Sequence, residues 1–215
     1  MAAQATRQAI LIAARSVFLK SGYAATTMDM VATAAGVAKD TVYATIGKKP
    51  SLFKLLVETA LSGTDQVVPG EDRDYVQAIR VEPEASKKLR LYAAALRHIQ
   101  PRLAPLVQVL QGAASLDPGL AAIGKRISQR RARNMLLFAQ NLAATGRLRS
   151  GLSINRVADI IWTMNSSEFY SLLVEQRGWS LDEFETWLAD SWIQLLLKPS
   201  GNLRSSRFPA ATKVM

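Results

Sequence analysis

The sequence lacks cysteine and contains a single histidine, His98, among 215 residues. Disulfides, thiol catalysis and cysteine-based zinc sites are therefore excluded, and a site built from several histidines is impossible. A Ser-His-Asp triad would have to use His98. Ser115 and Asp117 are available as its partners, but they belong to no catalytic motif. The sequence therefore predicts no enzyme activity, no metal site and no cofactor.

Long apolar runs are also missing. No segment approaches the roughly 20 apolar residues that a membrane-spanning helix needs. The apolar stretch 9–14 could be mistaken for part of a signal peptide, but it is short and is followed at once by Arg15 and then Lys20. We therefore predict a cytoplasmic protein with no membrane partner.

Negative charge is scarce, because 17 acidic residues face 27 basic ones and leave a net charge of +10. Residues 1–60 carry +4 and residues 85–149 carry +11, whereas residues 61–84 and 150–198 each carry −4. Lysine and arginine displace condensed counterions from phosphates, so this balance favours a polyanionic partner, although it could serve solubility alone. In residues 85–149 it also favours an anionic or acyl-bearing small molecule.

Apolar residues recur at helical spacing and no strand alternation is found, so the fold class is predicted to be all-α. We expect Pro101 and Pro105 to interrupt the chain between two helices. Residues 63–82 are expected to form a loop or a broken helix, and residues 199–215 a disordered tail. About nine helices are predicted, over residues 6–21, 28–35, 39–46, 50–62, 84–100, 103–114, 119–144, 153–177 and 180–198.

Two of these helices are short and flank Gly36. Thr26 is followed three residues later by Asp29, which resembles a capping box at the start of the first short helix. Two short helices joined by a tight glycine turn are typical of a helix-turn-helix. The second helix of that motif presents its N-terminal residues to the major groove of DNA.

The segment from Arg7 to Phe53 resembles the TetR family of transcriptional regulators. The resemblance rests on Ile10, Leu11, Ala13, Ala14, Phe18, Gly22 and Tyr23, on TTMDMVATAAGVAKDTVY over residues 26–43, and on KKPSLF over residues 48–53. The sequence departs from the family at Thr45, Ile46 and Pro50, where members usually have His or Tyr, Phe, and an acidic residue. The resemblance implies a three-helix DNA-binding domain over residues 1–62 and a C-terminal helical ligand-binding and dimerisation domain over residues 63–198.

The resemblance also implies roles for residues of the helix-turn-helix. Base edges would be contacted by Lys39, Asp40 and Thr41, and Ala44 could contact a thymine methyl group. Contacts with phosphates, which fix register rather than sequence, are expected from Thr27, Tyr43, Thr45, Lys48 and Lys49.

The resemblance to the family is weaker in the C-terminal half of the chain. Residues 159–164 and 170–180 look like part of the last two helices of many family members, which form the dimer interface. An apolar stripe is predicted to pack with helix 153–177 against a second copy, and it consists of Phe184, Trp187, Leu188, Ser191 and Leu195. A ligand cavity is expected within residues 84–177, lined by Tyr92, His98, Trp162, Asn165 and Phe169.

A basic cluster lies on the predicted helix 119–144, and it consists of Lys125, Arg126, Arg130, Arg131 and Arg133. We expect a solvated helix face, with attraction of an anionic effector or of flanking DNA as the alternative.

The resemblance implies a sequence-specific, homodimeric repressor of double-stranded DNA that a small-molecule effector releases from a palindromic operator. Two other classes of function stay open at this point. A nonspecific, charge-driven nucleic-acid binder would have equal affinity for random DNA and a steep dependence on salt. A small-molecule-binding or enzymatic helical protein would show turnover or no binding to DNA.

Overall fold

The computed structural model describes residues 2–114 and 117–199, and over these residues the fold is all-α, as predicted. Ser115 and residues 200–215 of the predicted tail lie outside the described residues. No described helix is both long and apolar enough to cross a membrane. The helices are α1 (Ala2–Ala25), α2 (Met28–Ala35), α3 (Lys39–Ile46), α4 (Lys49–Ser62), α5 (Asp74–Val81), α6 (Ala85–Ala114), α7 (Pro118–Ala143), α8 (Ile154–Met164), α9 (Ser167–Tyr170) and α10 (Leu181–Leu196).

Gly22 breaks α1 near its end, with φ 72° and ψ 173°, a backbone conformation that favours glycine. The break turns Tyr23 inward, where its ring stacks on Phe18 at 5.6 Å between centroids. Thr26 is buried and donates its hydroxyl to the carbonyl oxygen of Gly22 at 2.7 Å. Thr27, not Thr26 as predicted, therefore caps α2, by accepting a hydrogen bond from the Met30 N–H.

The prediction that Pro101 and Pro105 interrupt the chain is wrong, because both lie inside the continuous helix α6. Each proline removes one backbone hydrogen bond. Buried side chains on both sides of the prolines, including Ile99, Ala104 and Leu106, hold the helix between its neighbours. Tertiary packing therefore outweighs the local cost.

Two further expectations need correction. The predicted helix 153–177 is divided at Asn165, where Ser166 caps α9 by accepting from the Phe169 N–H. The chain then continues as a π-helix over Ser171–Gln176. The last helix ends at Leu196, because Leu197 pairs with Leu148 in an isolated antiparallel bridge. Residues 63–82, expected to form a loop or a broken helix, contain a 3-10 turn and α5.

A serine with capping character stands at the start of each of the last two predicted helices in the sequence, Ser153 and Ser180, the latter with Glu183 three residues later. Both serines are N-caps in the structure.

Two apolar clusters make up the interior. The cluster between the later helices, called the second cluster, packs α5, α6, α7, α8 and α10 around Trp192 and Leu89. The cluster formed by α1 to α4, called the first cluster, is built around Phe18, Val31, Val42 and Phe53. Residues from outside the first four helices complete this first cluster, namely Leu106, Leu110 and Ala113 of α6 and Leu120 and Ile123 of α7. The first four helices therefore do not close a core by themselves.

We expect Leu106→Ala to lower the free energy of unfolding by about 2–5 kcal/mol, because the side chain is fully buried in the first cluster. Urea unfolding should be followed by far-ultraviolet circular dichroism and by tryptophan fluorescence, since all four tryptophans lie beyond residue 160. Both transitions should move together, whereas exposed Val81→Ala should move neither. A fluorescence transition that stays in place would show that the two clusters unfold independently.

Candidate nucleic-acid interface and ligand cavity

The turn between α2 and α3 has the geometry of a helix-turn-helix. Gly36 is left-handed, with φ 67° and ψ 31°, and its N–H and that of Val37 donate to carbonyl oxygens of α2. Val31 and Val42 are fully buried, so the two short helices pack closely through small β-branched side chains. This packing leaves the outer face of α3 free to enter a groove of DNA.

None of the nine residues predicted to contact DNA is buried. Lys39, Asp40, Tyr43 and Ala44 are exposed along α3, while Thr41 and Thr45 are half-buried on the same helix. Thr27 is exposed at the start of α2, and its hydroxyl hydrogen remains available because the oxygen serves as the cap acceptor. The structure thus places these side chains on the helix-turn-helix surface; their contacts with DNA stay predictions.

Lys39 forms an ion pair with Asp29 across the turn, with 2.8 Å between Nζ and Oδ2. The hydrogen bond and the charge of Asp29 raise the pKa of Lys39. Both side chains are exposed, so water screens the pair and its contribution to stability is small. Its effect is positional, because it holds the ammonium at the N-terminal end of the recognition helix.

Lys49 is held more firmly than Lys48. Its ammonium lies 4.4 Å from the centroid of the Tyr23 ring and donates to the Ala24 carbonyl oxygen at 3.2 Å. Burial lowers the pKa of Lys49. Lys49 therefore supports the end of α1 in addition to any contact with phosphate, whereas Lys48 is exposed.

A cavity of about 730 Å³ lies among α5, α6, α7 and α8, a volume in the range of small-molecule sites. Tyr92, Trp162 and Asn165 line it, as the sequence predicts for the ligand site. His98 and Phe169 do not line it, and both assignments are corrected. His98 is exposed because it lies beside, not on, the cavity face of α6, and Phe169 instead stacks on Trp187 of α10 at 5.6 Å.

A polar network crosses the cavity wall at the break between α8 and α9. The Asn165 amide donates to the Tyr92 hydroxyl at 2.7 Å and to the Met135 sulfur at 2.9 Å. Gln100 donates to the Asn165 carbonyl oxygen at 2.7 Å and accepts from Ser167 at 3.0 Å. Burial raises the pKa of Tyr92, so its phenol stays neutral.

The basic cluster of α7 is only partly a solvated face. Lys125, Arg126 and Arg133 are exposed as expected, but Arg130 and Arg131 are half-buried and line the cavity. The inward orientation of Arg131 could have been predicted from the sequence. Arg131 occupies one position of a helical stripe that is otherwise formed by Ile127, Met135 and Phe138. A charge among apolar positions of one helix face indicates a side chain that points inward.

The predicted interface stripe on α10 divides into two faces. Phe184 and Leu188 are 0% exposed in the chain's own core, so they are not available to a partner, and their assignment is corrected. They were mistaken for interface residues because an apolar stripe does not show which surface it packs against. Trp187 and Ser191 are half-buried and Leu195 is 50% exposed.

Residues 10–56 match the bacterial regulatory proteins of the tetR family. This segment, which spans most of α1 to α4, therefore belongs to the tetR family of DNA-binding domains and contains its helix-turn-helix. A comparison with curated protein sequences finds no match.

Solved structures of TetR-like regulators share the fold over nearly the whole chain. NalD, the secondary repressor of the MexAB-OprM multidrug efflux pump in Pseudomonas aeruginosa, is 20% identical with a TM-score of 0.69, covering 90% of this chain and 98% of its own. SmeT, the repressor of the Stenotrophomonas maltophilia pump SmeDEF, is 18% identical with a TM-score of 0.66, covering 98% and 100%. FadR, a fatty acid degradation regulator from Bacillus halodurans, is 16% identical with a TM-score of 0.69, covering 93% and 96%.

We expect Lys39→Ala to relax sequence preference at one position of the bound DNA by roughly 5- to 100-fold, the usual value of a base-edge contact. Lys48→Ala should instead weaken all sites alike and reduce the slope of log affinity against log salt by about one. Lys48 is preferred to Lys49 as the control because Lys49 also supports Tyr23. Binding should be measured against a randomised DNA library at two salt concentrations. Unchanged affinity and preference in both variants would contradict the docking of α3.

Proposed function

We propose that the protein is a homodimeric repressor that binds a palindromic operator in the cytoplasm and is released by a small molecule. The observation that carries this proposal is the position of the 730 Å³ cavity. Its wall includes Leu61 of α4 and Leu110 of α6, which also belong to or pack against the core of the DNA-binding helices. A ligand in the cavity would therefore touch the residues that support α4. We predict a boundary near residue 62 between the two functional domains.

Similar proteins support release by a small molecule. NalD and SmeT are described as repressors of multidrug efflux pumps, and SmeT has been solved in complex with triclosan. The fold shared with these repressors supports repression and a ligand-binding C-terminal domain for this chain as well.

The proposed dimer surface combines the π-helical segment after α9 with the outer face of α10. Leu172 and Leu195, which are 52% and 50% exposed, are the apolar side chains that these two elements leave open to a partner. Trp187 of α10 stacks on Phe169 and makes an edge-to-face contact with Trp179. A second copy is the expected occupant, because one helix-turn-helix makes few contacts and family members that bind palindromes pair two of them.

We expect the double variant Leu172→Arg and Leu195→Arg to be monomeric at micromolar concentration and to bind a palindromic site much more weakly than wild type. Two-fold symmetry brings each added charge into the apolar interface twice, so four unpaired charges would have to lose water there. Sedimentation velocity and gel shifts with full and half sites provide the measurements. Val81→Arg, at a position 79% exposed on α5, is the control and should stay dimeric. A wild-type monomer would contradict the proposal.

The most direct link between the cavity and the DNA-binding helices is an ion pair. Arg130 of α7, which lines the cavity, donates to the buried Glu58 of α4 at 2.7 Å. A second link runs through Arg102 of α6, which donates to the Ala60 carbonyl oxygen at 3.1 Å, while its own carbonyl oxygen accepts from Arg15 at 2.7 Å. A ligand that displaces α7 would therefore move α4, and α4 packs with α3 in the first cluster.

Glu58→Gln should keep the shape of this contact and remove its charge. We expect a loss of stability of roughly 1–3 kcal/mol, because the Arg130 side chain is partly solvated and the charge is not left fully buried. Operator binding should survive, while the loss of affinity caused by a releasing compound should shrink from the roughly 5- to 150-fold typical of such coupling. Glu84→Gln, which removes the charge from an exposed ion pair with Lys87 away from the cavity, is the control. Equal release of Glu58→Gln and wild type would remove this ion pair from the signal.

The proposal as a whole is tested by selecting bound fragments from genomic DNA and mapping the protected bases. A two-fold symmetric site with half-sites one helical turn apart, about 34–36 Å, is expected. Compounds are then screened for release of the mapped site. Equal affinity for random DNA would identify a nonspecific binder, and a specific site that no member of a diverse library releases would indicate constitutive binding.

A further inference from the structure

Polar atoms without partners are concentrated in one place. Among the described residues, six buried side-chain nitrogen or oxygen atoms have no hydrogen-bond partner, and all but Trp192 Nε1 belong to residues that line the large cavity. They are Arg73 Nε, Arg131 Nε, Trp162 Nε1, Asn141 Oδ1 and Asn165 Oδ1. Buried polar groups in folded proteins are almost always paired, so five in one cavity indicate partners supplied by a bound molecule.

Two of these residues bring positive charge. Arg131 lies over the Trp162 ring, 4.5 Å from its centroid, and neither Arg131 nor Arg73 forms an ion pair within the described residues. Burial lowers the pKa of Arg131, and nearby Tyr92 and Glu168 only oppose that shift. Both guanidiniums line this cavity, and both charges also act on the Tyr92 hydroxyl.

A partly buried guanidinium without an ion pair is costly, because it has lost water and the charge of Glu168 acts on it without a direct contact. Arg130, the neighbouring residue, shows the usual solution, since it pairs with Glu58. Arginine presents a planar fork that suits a carboxylate, and the contact with Trp162 holds the guanidinium of Arg131 at one place on the cavity wall. Arg131 therefore has the position and the incompletely neutralised charge of an anion receptor.

Toward the DNA-binding helices, the wall that α6 gives the cavity is mainly apolar. From Gln100, at the level of the polar network, α6 continues for about 15 Å to Leu110 at 1.5 Å per residue. Leu103, Val107 and Leu110 line this stretch on one helix, and Ile127 faces them from α7. A molecule with an anionic head near Arg131 and an apolar chain of about this length would fill both parts.

We propose that the cavity selects an organic carboxylate with an apolar chain, held at its head by Arg131 and Arg73 and with its chain directed along α6 toward Leu110. The inference rests on the proposed function only in taking this cavity as the effector site. The ligand class itself follows from the two unpaired guanidiniums and the apolar wall.

The test compares three probes that share one chain and differ at the head: decanoate, decanamide and 1-decanol. Binding to the free dimer or monomer is measured by isothermal titration calorimetry without DNA. A charge-assisted hydrogen bond to the guanidinium predicts that wild type binds decanoate roughly 10- to 100-fold more tightly than the two neutral probes. Arg131→Gln should lose this preference, and Arg131→Lys should keep part of it.

Arg133→Gln is the matched control, because this arginine is exposed two residues along the same helix and does not line the cavity. It should retain the full preference for decanoate. Thermal unfolding without ligand verifies that each variant is folded, and the three-probe series on wild type is decisive even if a variant is not.

Three results would overturn the inference: equal affinity of wild type for the three probes, a preference that survives in both Arg131→Gln and Arg73→Gln, or no binding of decanoate at millimolar concentration. Release from DNA is a separate measurement. Head-selective binding without release from DNA would support the carboxylate site and count against the effector role. Release from DNA by compounds that show no head selectivity would support the effector role and count against the carboxylate site.

Discussion

The DNA-binding helices cannot close their own core, and this constraint shapes the rest of the molecule. Phe18, Val42 and Phe53 pack in a cluster that is completed by the C-terminal part of α6 and the N-terminal part of α7. These two helices also form the walls of the ligand cavity. Because interiors are packed densely and shift between discrete arrangements, a change in the spacing of α6 and α7 is felt at α4 and, through the shared core, at α3.

The parts that sequence predicts well are those decided locally. The helix-turn-helix follows from Gly36 between two short apolar patterns, and the caps at Ser153 and Ser180 follow from side chains within three residues of the groups they satisfy. Such features depend on a few neighbouring residues, so one sequence is enough to find them.

The parts that sequence predicts poorly are those decided by packing between distant helices. Pro101 and Pro105 stay inside α6 because neighbouring helices bury its side chains, and the break at Asn165 is held by Gln100 and Tyr92 from another helix. An apolar stripe such as that of Phe184 and Leu188 shows that a face is covered but not what covers it. His98 was assigned to the cavity by residue type, and only its angular position on α6 excludes it.

Arg130 and Arg131 show how one helix can serve both ends of the proposed signal. Consecutive residues on a helix point about 100° apart, so Arg130 reaches Glu58 on α4 while Arg131 turns to Trp162 on α8. An anion bound at Arg131 would favour one position of α7, whereas the ion pair between Arg130 and Glu58 favours another. Ligand recognition and support of the DNA-binding helices then depend on the same turn of α7, which is the shortest physical route that the fold offers between them.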